Sequence, residues 1–149
     1  MVSLETTLKF IRGLCVDSDK CFLFAIGLDE GEIVVFDIKK CGREREAKQV
    51  AKLKNRPNSK EICWSGSRGE IFVGNEDGTV TVWDAKKKAP ICIYDKKLLD
   101  IWKAHNEDIT KLVWLESSQT LLTGGKDKSI KVWKLPESWM DKILMEQGE

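Results

Sequence analysis

A chain of 149 residues with 42% hydrophobic and 33% charged side chains has the composition of an ordinary folded domain, which excludes a disordered segment. Its 25 basic residues stand against 24 acidic ones, and the net charge of +1 excludes a bulk attraction to nucleic acid or anionic membranes. No apolar run has the length of a membrane-crossing helix, and "MVSLETTLKFIRG" lacks the basic-then-apolar order of a signal peptide, so the expected location is the cytoplasm, or the nucleus.

In chain order, the first unit reads "FIRGLCV", turn "DSDK", "CFLFAIG", turn "DEGE", "IVVFD". The second reads "KEICW", turn "SGSRG", "EIFVG", turn "NEDG", "TVTVWD". The third places Ile109, Leu112 and Trp114 before the turn "LESS", and "QTLLTGG" then leads into "KDKS". Short β-rich runs parted by Gly, Asp, Ser and Asn predict consecutive hairpins. A further strand is expected in "QVAKLKN" after Phe36, and in "APICIYD" or "LLDIWKA" after Trp83.

The segments "GLDEGEIVVFD" from Gly27, "GNEDGTVTVWD" from Gly74 and "GGKDKSIKVWK" from Gly124 align without gaps. They space Phe36, Trp83 and Trp133 by 47 and 50 residues. A period of this length marks a repeat architecture, and four antiparallel strands per repeat make a propeller blade. The cysteines Cys15, Cys21, Cys41, Cys63 and Cys92 are an odd set with no C-x-x-C pair, which argues against disulfides and zinc. Cys15, Cys21 and Cys63 lie in apolar runs and are expected to act as small buried hydrophobes.

With Trp83-Asp84 as a literal W-D pair and Ala104-His105 as a variant of the usual Gly-His, the chain resembles the WD40-repeat family from about Leu8 to Leu135. The third repeat is the most typical and the first, with Phe36 for Trp, the least. The expected fold is all-β: a partial WD40-type propeller of about three four-stranded blades, with repeats over roughly 8–48, 49–94 and 95–135. The remainder, 136–149, places Trp139, Met140, Ile143 and Leu144 as a narrow apolar stripe after Pro136, which predicts a short amphipathic helix or tail packed across a blade edge, or alternatively one that binds a partner or touches a membrane, the acidic flank disfavouring an anionic one.

His105 is the chain's only histidine, and with Thr123 and Asp127 it supplies the parts of a nucleophilic triad. If each unit runs d, a, b, c, the d–a and b–c connections share one end of a blade, which makes His105 and Asp127 neighbours. The resemblance implies a structural tetrad instead: Asp127 to His105, His105 to Thr123, and Thr123 to the Trp133 indole. A hydroxyl tied to an indole is not free to attack, and no oxyanion site is evident, so no catalytic residue is expected. The second repeat keeps only a partial tetrad, Asp77 and Trp83. Val73 stands at the hydroxyl place and Asn55 at the histidine place, so no tetrad is expected there. In the first repeat Glu30, beside Asp29, fills the aspartate slot, and that blade is expected to rely on packing.

Three units cannot close a ring, so apolar surface is expected on the outer faces of the first and third blades. This points to part of a larger propeller, or alternatively to a structural subunit that other chains complete, and to self-association of the isolated chain. The expected function is a non-catalytic scaffold or adaptor segment for protein partners, without cofactor or metal. Candidate contacts are Asn55, Arg56, Asn75, Glu76, Asn106, Glu107 and Lys126, with Leu28, Asp29, Asn58 and Asp108 at the same loop ends. Lys39, Lys40, Arg43, Arg45 and Lys86 to Lys88 on the opposite loops offer a remote alternative, a phosphoinositide or nucleic-acid ligand.

Overall fold

The structure is a computed structural model that describes residues 4, 6, 8–17, 22–28, 31–38, 48–85, 87–88, 93–94, 97–137 and 139. Alternating apolar runs broken by turn residues give the strands β1 (Phe10–Val16), β2 (Phe22–Leu28), β3 (Glu32–Asp37), β4 (Lys48–Lys54), β5 (Ser59–Ser65), β6 (Glu70–Asn75) and β7 (Thr79–Asp84). The short β8 (Lys87–Lys88) and β9 (Ile93–Tyr94) precede β10 (Lys97–Lys103), β11 (Ile109–Leu115), β12 (Thr120–Gly125) and β13 (Ile130–Lys134). They form antiparallel sheets ordered β1-β2-β3-β4, β5-β6-β7-β10 and β11-β12-β13, with β8 and β9 as a separate hairpin.

Four strands are therefore present in the first two blades, and three in the third among the described residues. The outer strand of each four-stranded blade opens the following repeat: β4 pairs with β3, and β10 pairs with β7. "QVAKLKN" forms its strand as expected, and of the two candidates after Trp83 it is "LLDIWKA" that joins the blade. Of "APICIYD", Ile93–Tyr94 pairs only with Lys87–Lys88. The helix expected over 136–149 falls mostly outside the described residues, and no helical element is delineated among them.

Each inner strand carries a register shift at the same place, between Ile11 and Gly13, Ser59 and Glu61, and Ile109 and Lys111. Such a bulge adds one residue and bends the strand, so the three inner strands curve alike where they lie side by side. The ladders also correct the gapless alignment of the first two repeats. Phe24 pairs with Val35 as Phe72 pairs with Val82, and Ala25 with Val34 as Val73 with Thr81. Strand b of the first repeat is thus offset by one, and its turn into β3 holds one more residue than the turn after Asn75.

The alternation of β-strand side chains sends one set to each neighbouring blade. Phe24, Ile26, Ile33 and Val35 meet Ile62, Ile71, Val73 and Trp83 between the first and second blades. Phe72, Val80 and Val82 meet Ile109, Leu112 and Leu121 between the second and third, with Trp114 and Trp133 packed against them. Each fully buried side chain of this size stabilises the fold by roughly 1.5–3 kcal/mol relative to exposure. Leu8, Ala25, Val34 and Phe36 form a smaller cluster on the rear of the first blade. Leu14 and Val16 on the first blade, and Ile130 and Val132 on the third, remain exposed.

Candidate functional site

The loops before the inner strands and the turns between b and c strands meet at one end of the blades. The backbone of Asn55 donates to Gly31 O, His105 N to Gly78 O at 3.0 Å, and Lys126 N to Asp108 O at 2.9 Å. Gly78 lies at φ +84°, and a Cβ there would sit 2.0 Å from the His105 carbonyl oxygen, so this close crossing requires glycine.

On the third blade, His105 Nε2 is 2.7 Å from Thr123 Oγ1, and the Trp133 indole N–H donates to the same hydroxyl at 3.0 Å. His105 Nδ1 lies 3.0 Å from Asp127 Oδ1 and 2.9 Å from Ser129 Oγ. Nδ1 thus faces acceptors, while the Thr123 hydroxyl, already accepting from Trp133, has its own proton to give to Nε2. The network is satisfied with the imidazole proton on Nδ1. His105 and Thr123 are buried, and the Thr123 oxygen is held between ring and indole, which leaves no path for attack on a substrate.

Asp127 also accepts from the Ser129 hydroxyl at 2.6 Å and from its backbone N–H at 3.1 Å. The Ser129 hydroxyl foremost, and then His105, hold the Asp127 carboxyl well below the usual range against what desolvation would do. His105 follows β10, the outer strand of the second blade, whereas Thr123 and Trp133 belong to the third. The hydrogen bonds therefore tie two blades together.

The second blade holds a network that its sequence did not promise. Asn55 Oδ1 accepts from the Thr81 hydroxyl at 2.7 Å and from the Trp83 indole at 3.2 Å. Its Nδ2 donates to Asn75 Oδ1 at 2.9 Å and to Ser59 Oγ at 2.8 Å. Thr81 is the cross-strand partner of Val73. A hydroxyl is thus supplied from the strand beside Val73, and a network centred on Asn55 occupies the place where no tetrad was expected. Asp77 accepts from the Thr79 hydroxyl and backbone, as Asp127 does from Ser129, but it pairs with Arg56 at 3.4 Å and not with residue 55.

Two proposed contact residues are accordingly turned inward: Asn75 is buried and Asn55 half-buried. Arg56, Glu76, Asn106, Glu107 and Lys126 are exposed at this end. Asp108 joins Lys60 and Lys126 at 3.3 Å each. Desolvation works against its carboxylate, but the two ammonium groups outweigh it and lower the pKa. Asp29, Glu30 and the basic residues Lys39 to Arg45 and Lys86 lie outside the described residues, as do the side chains of Leu28, Lys87 and Lys88. Among the described residues no group of acidic, His or Cys side chains is placed to hold a metal. Burial first, and then Asp17, pushes the half-buried Cys15 thiol to about 12, and burial likewise raises Cys63, so neither is an activated nucleophile.

The opposite end carries a cluster that local pattern did not disclose. Arg68 and Glu70, both buried, pair at 2.9 Å, and the Trp139 indole donates to the other Glu70 oxygen at 2.8 Å. The Arg68 guanidinium lies 5.4 Å from the Trp139 ring centre, and its Nη1 reaches Gln119 at 3.3 Å. Trp102, Trp133 and Trp139 with Leu135 and Pro136 line an open cleft of about 230 Å³ beside this pair. Trp139→Phe keeps an aromatic ring, though a smaller one, and removes the donor to a buried carboxylate, and it is expected to lower unfolding free energy by about 1–2 kcal/mol in urea titration.

Nearby, Glu116 accepts from the Ser67 hydroxyl at 2.7 Å and backbone at 2.9 Å, and from the Trp114 indole at 2.8 Å. Desolvation raises its pKa, but these bonds, led by those from Ser67, bring it down to about 2. A carboxyl depressed on folding stabilises above its unfolded pKa and loses that contribution as pH falls. The Glu116 contribution should fade between about pH 4.5 and pH 2, with the carboxyl resonance titrating near the lower limit; a midpoint above 4 contradicts the assignment.

Repeating antiparallel sheets of three and four strands, joined by buried polar fasteners, are consistent with a partial β-propeller. Residues 49–84 and 96–134 match the family model described as WD domain, G-beta repeat, and the chain belongs to that family. It is 24% identical over 140 residues to the probable cytosolic iron-sulfur protein assembly protein 1 of Kluyveromyces lactis, covering 87% of this chain and 41% of that protein. It is 31% identical over 88 residues to the putative E3 ubiquitin-protein ligase LIN-1 of Lotus japonicus, covering 59% of this chain and 5% of the relative. It is 39% identical over 65 residues to the ASTRA-associated protein 1 of Yarrowia lipolytica, covering 44% and 13%. The chain thus spans less than half the length of each of these relatives.

Proposed function

We propose that the chain is a non-catalytic scaffold segment that presents the shared loop end of its blades to a protein partner in the cytoplasm or nucleus. The observation that carries this reading is the contrast at that end. The groups capable of chemistry, His105 and Thr123, are consumed in fastening blades, while Arg56, Glu76, Asn106, Glu107 and Lys126 stand exposed above them. Such a mixed polar rim over a rigid base suits hydrogen-bonded recognition of a polypeptide. Relatives named as a cytosolic assembly protein and as an ASTRA-associated protein support a role within assemblies. The ligase name is not carried over, because the match covers 5% of that protein.

The test is comparative affinity purification with Glu76→Lys/Glu107→Lys beside the unaltered chain. Both sites are exposed, so unfolding free energy should change by under about 0.5 kcal/mol. Loss of a co-purifying protein at unchanged stability is the expected result. Capture of the same proteins by both chains sinks the loop-end reading.

A further inference from the structure

Of the six tryptophans in the chain, three gather where the second and third blades adjoin. Trp102 comes from β10, the outer strand of the second blade, Trp133 from β13 of the third, and Trp139 from the segment that follows. The Trp102 and Trp133 rings lie 5.7 Å apart between centres with 62° between their planes, and the Trp102 and Trp139 rings 6.4 Å apart at 36°. All three indoles are half-buried, and with Leu135 and Pro136 they wall the open cleft of about 230 Å³. Rings set at such angles turn their faces to a shared space.

Two of these rings already draw cations from the chain itself. The Arg68 guanidinium lies 5.4 Å from the Trp139 centre and Lys131 Nζ 6.0 Å from the Trp133 centre, and neither residue is part of the cleft wall. The indole face is the most attractive to a cation among the aromatic side chains. Asp100 adds a carboxylate. It stands two residues before Trp102 on β10, so both side chains leave the same face of the strand, and both line the cleft. Lys134 is the other charged residue of the wall, but it alternates with Trp133 on β13, so its exposed side chain leaves the opposite face with Ile130 and Val132.

A cleft walled by indoles, with one carboxylate at its side, suits a cation whose own hydration is weak, because an ammonium with free N–H groups must give up strongly held water to enter it. We propose that this cleft receives the methylated ammonium of a lysine side chain presented by a partner polypeptide. A space of this size admits one side chain, and its open side leaves the backbone of the partner outside. The cleft is at the opposite end of the blades from the exposed loop residues. Glu76→Lys/Glu107→Lys should therefore leave this binding unchanged, and failure of the loop-end reading leaves it standing.

The experiment is calorimetric titration of the full chain with a short peptide centred on trimethyllysine, the same peptide with unmodified lysine, the same peptide with a tert-butyl group in place of the trimethylammonium, and choline. The trimethyllysine peptide should bind at least about tenfold more tightly than the tert-butyl peptide, which has its shape without its charge, and more tightly than the lysine peptide and choline. Asp100→Asn keeps the side-chain shape and should weaken the trimethyllysine peptide by about threefold, as for a half-exposed charge pair, while leaving the tert-butyl peptide unchanged. Trp102→Phe should weaken it by a similar factor of about three. The probe series on the unaltered chain decides the matter even if Trp102→Phe fails to fold. Absence of saturable binding, or equal affinity for the trimethyllysine and tert-butyl peptides, overturns the proposal. So does unmodified lysine or choline binding as tightly as the trimethyllysine peptide, since the first removes the need for methylation and the second assigns the cleft to a small ammonium ligand.

Discussion

His105→Ala is expected to lower the unfolding free energy by about 3 kcal/mol, measured by urea titration at one fixed protein concentration. The imidazole is 1% exposed and bridges Asp127 at 3.0 Å to Thr123 at 2.7 Å. Alanine removes both partners at once. The Thr123 hydroxyl keeps the Trp133 donor but loses its acceptor, and the vacated ring volume lies against Gly125, where even a Cβ would fall 2.6 Å from His105 Nδ1. A buried hydroxyl without its acceptor costs about 1–3 kcal/mol and a cavity adds to that. Amide exchange should accelerate most in β12 and β13, which are held to the second blade through this ring. A loss under about 0.5 kcal/mol contradicts the structural role.

Asn55→Ala is expected to cost about 2–3 kcal/mol, although position 55 is only half-buried and lies in a loop. Its amide serves four groups: Thr81 and Trp83 donate to its oxygen, and Asn75 and Ser59 accept from its nitrogen. Asn75 is itself buried and donates to the Thr79 carbonyl at 3.2 Å, so the disturbance reaches the β6–β7 turn. Asn55→Asp separates the two halves of the amide, since it keeps the acceptor for Trp83 and loses the donors. It should fall between the unaltered chain and the alanine variant if the Trp83 and Thr81 bonds dominate. Equal stability of Asn55→Ala and the unaltered chain would mean that this network is incidental.

These two residues show what a sequence can and cannot disclose here. The strands were readable because alternation and turn chemistry are local: "EIFVG", "NEDG" and "TVTVWD" form β6, the turn and β7 without reference to anything else. The outer strand was ambiguous because "KLLDIWK" is mixed in character and acquires its partner, β7, only through pairing. The one-residue offset of β2 was invisible because Gly27 and Gly74 both precede a turn, and an aligned glycine says nothing of ladder register.

At the polar sites, the residue types in the third repeat identified which side chains would lie close. In the second, one change hid the answer. The hydroxyl stands on the cross-strand neighbour of Val73, and its partner Asn55 is 26 residues away, a juxtaposition that only folding creates. Arg68, Glu70 and Trp139 were hidden for the same reason, since the Trp139 to Glu70 bond spans 69 residues. Asn75 reads as a turn residue by type, yet it ends β6 with its side chain inside the blade.

The imidazole, hydroxyl, carboxylate and indole of the third blade act as one fastener between blades. A double-mutant cycle with His105→Ala and Thr123→Val tests it most directly, because valine preserves the shape of threonine and deletes the hydroxyl. Bonded partners in one buried network should give a coupling of at least about 1 kcal/mol, with the double variant losing less than the summed single losses. Additivity within about 0.3 kcal/mol contradicts the account.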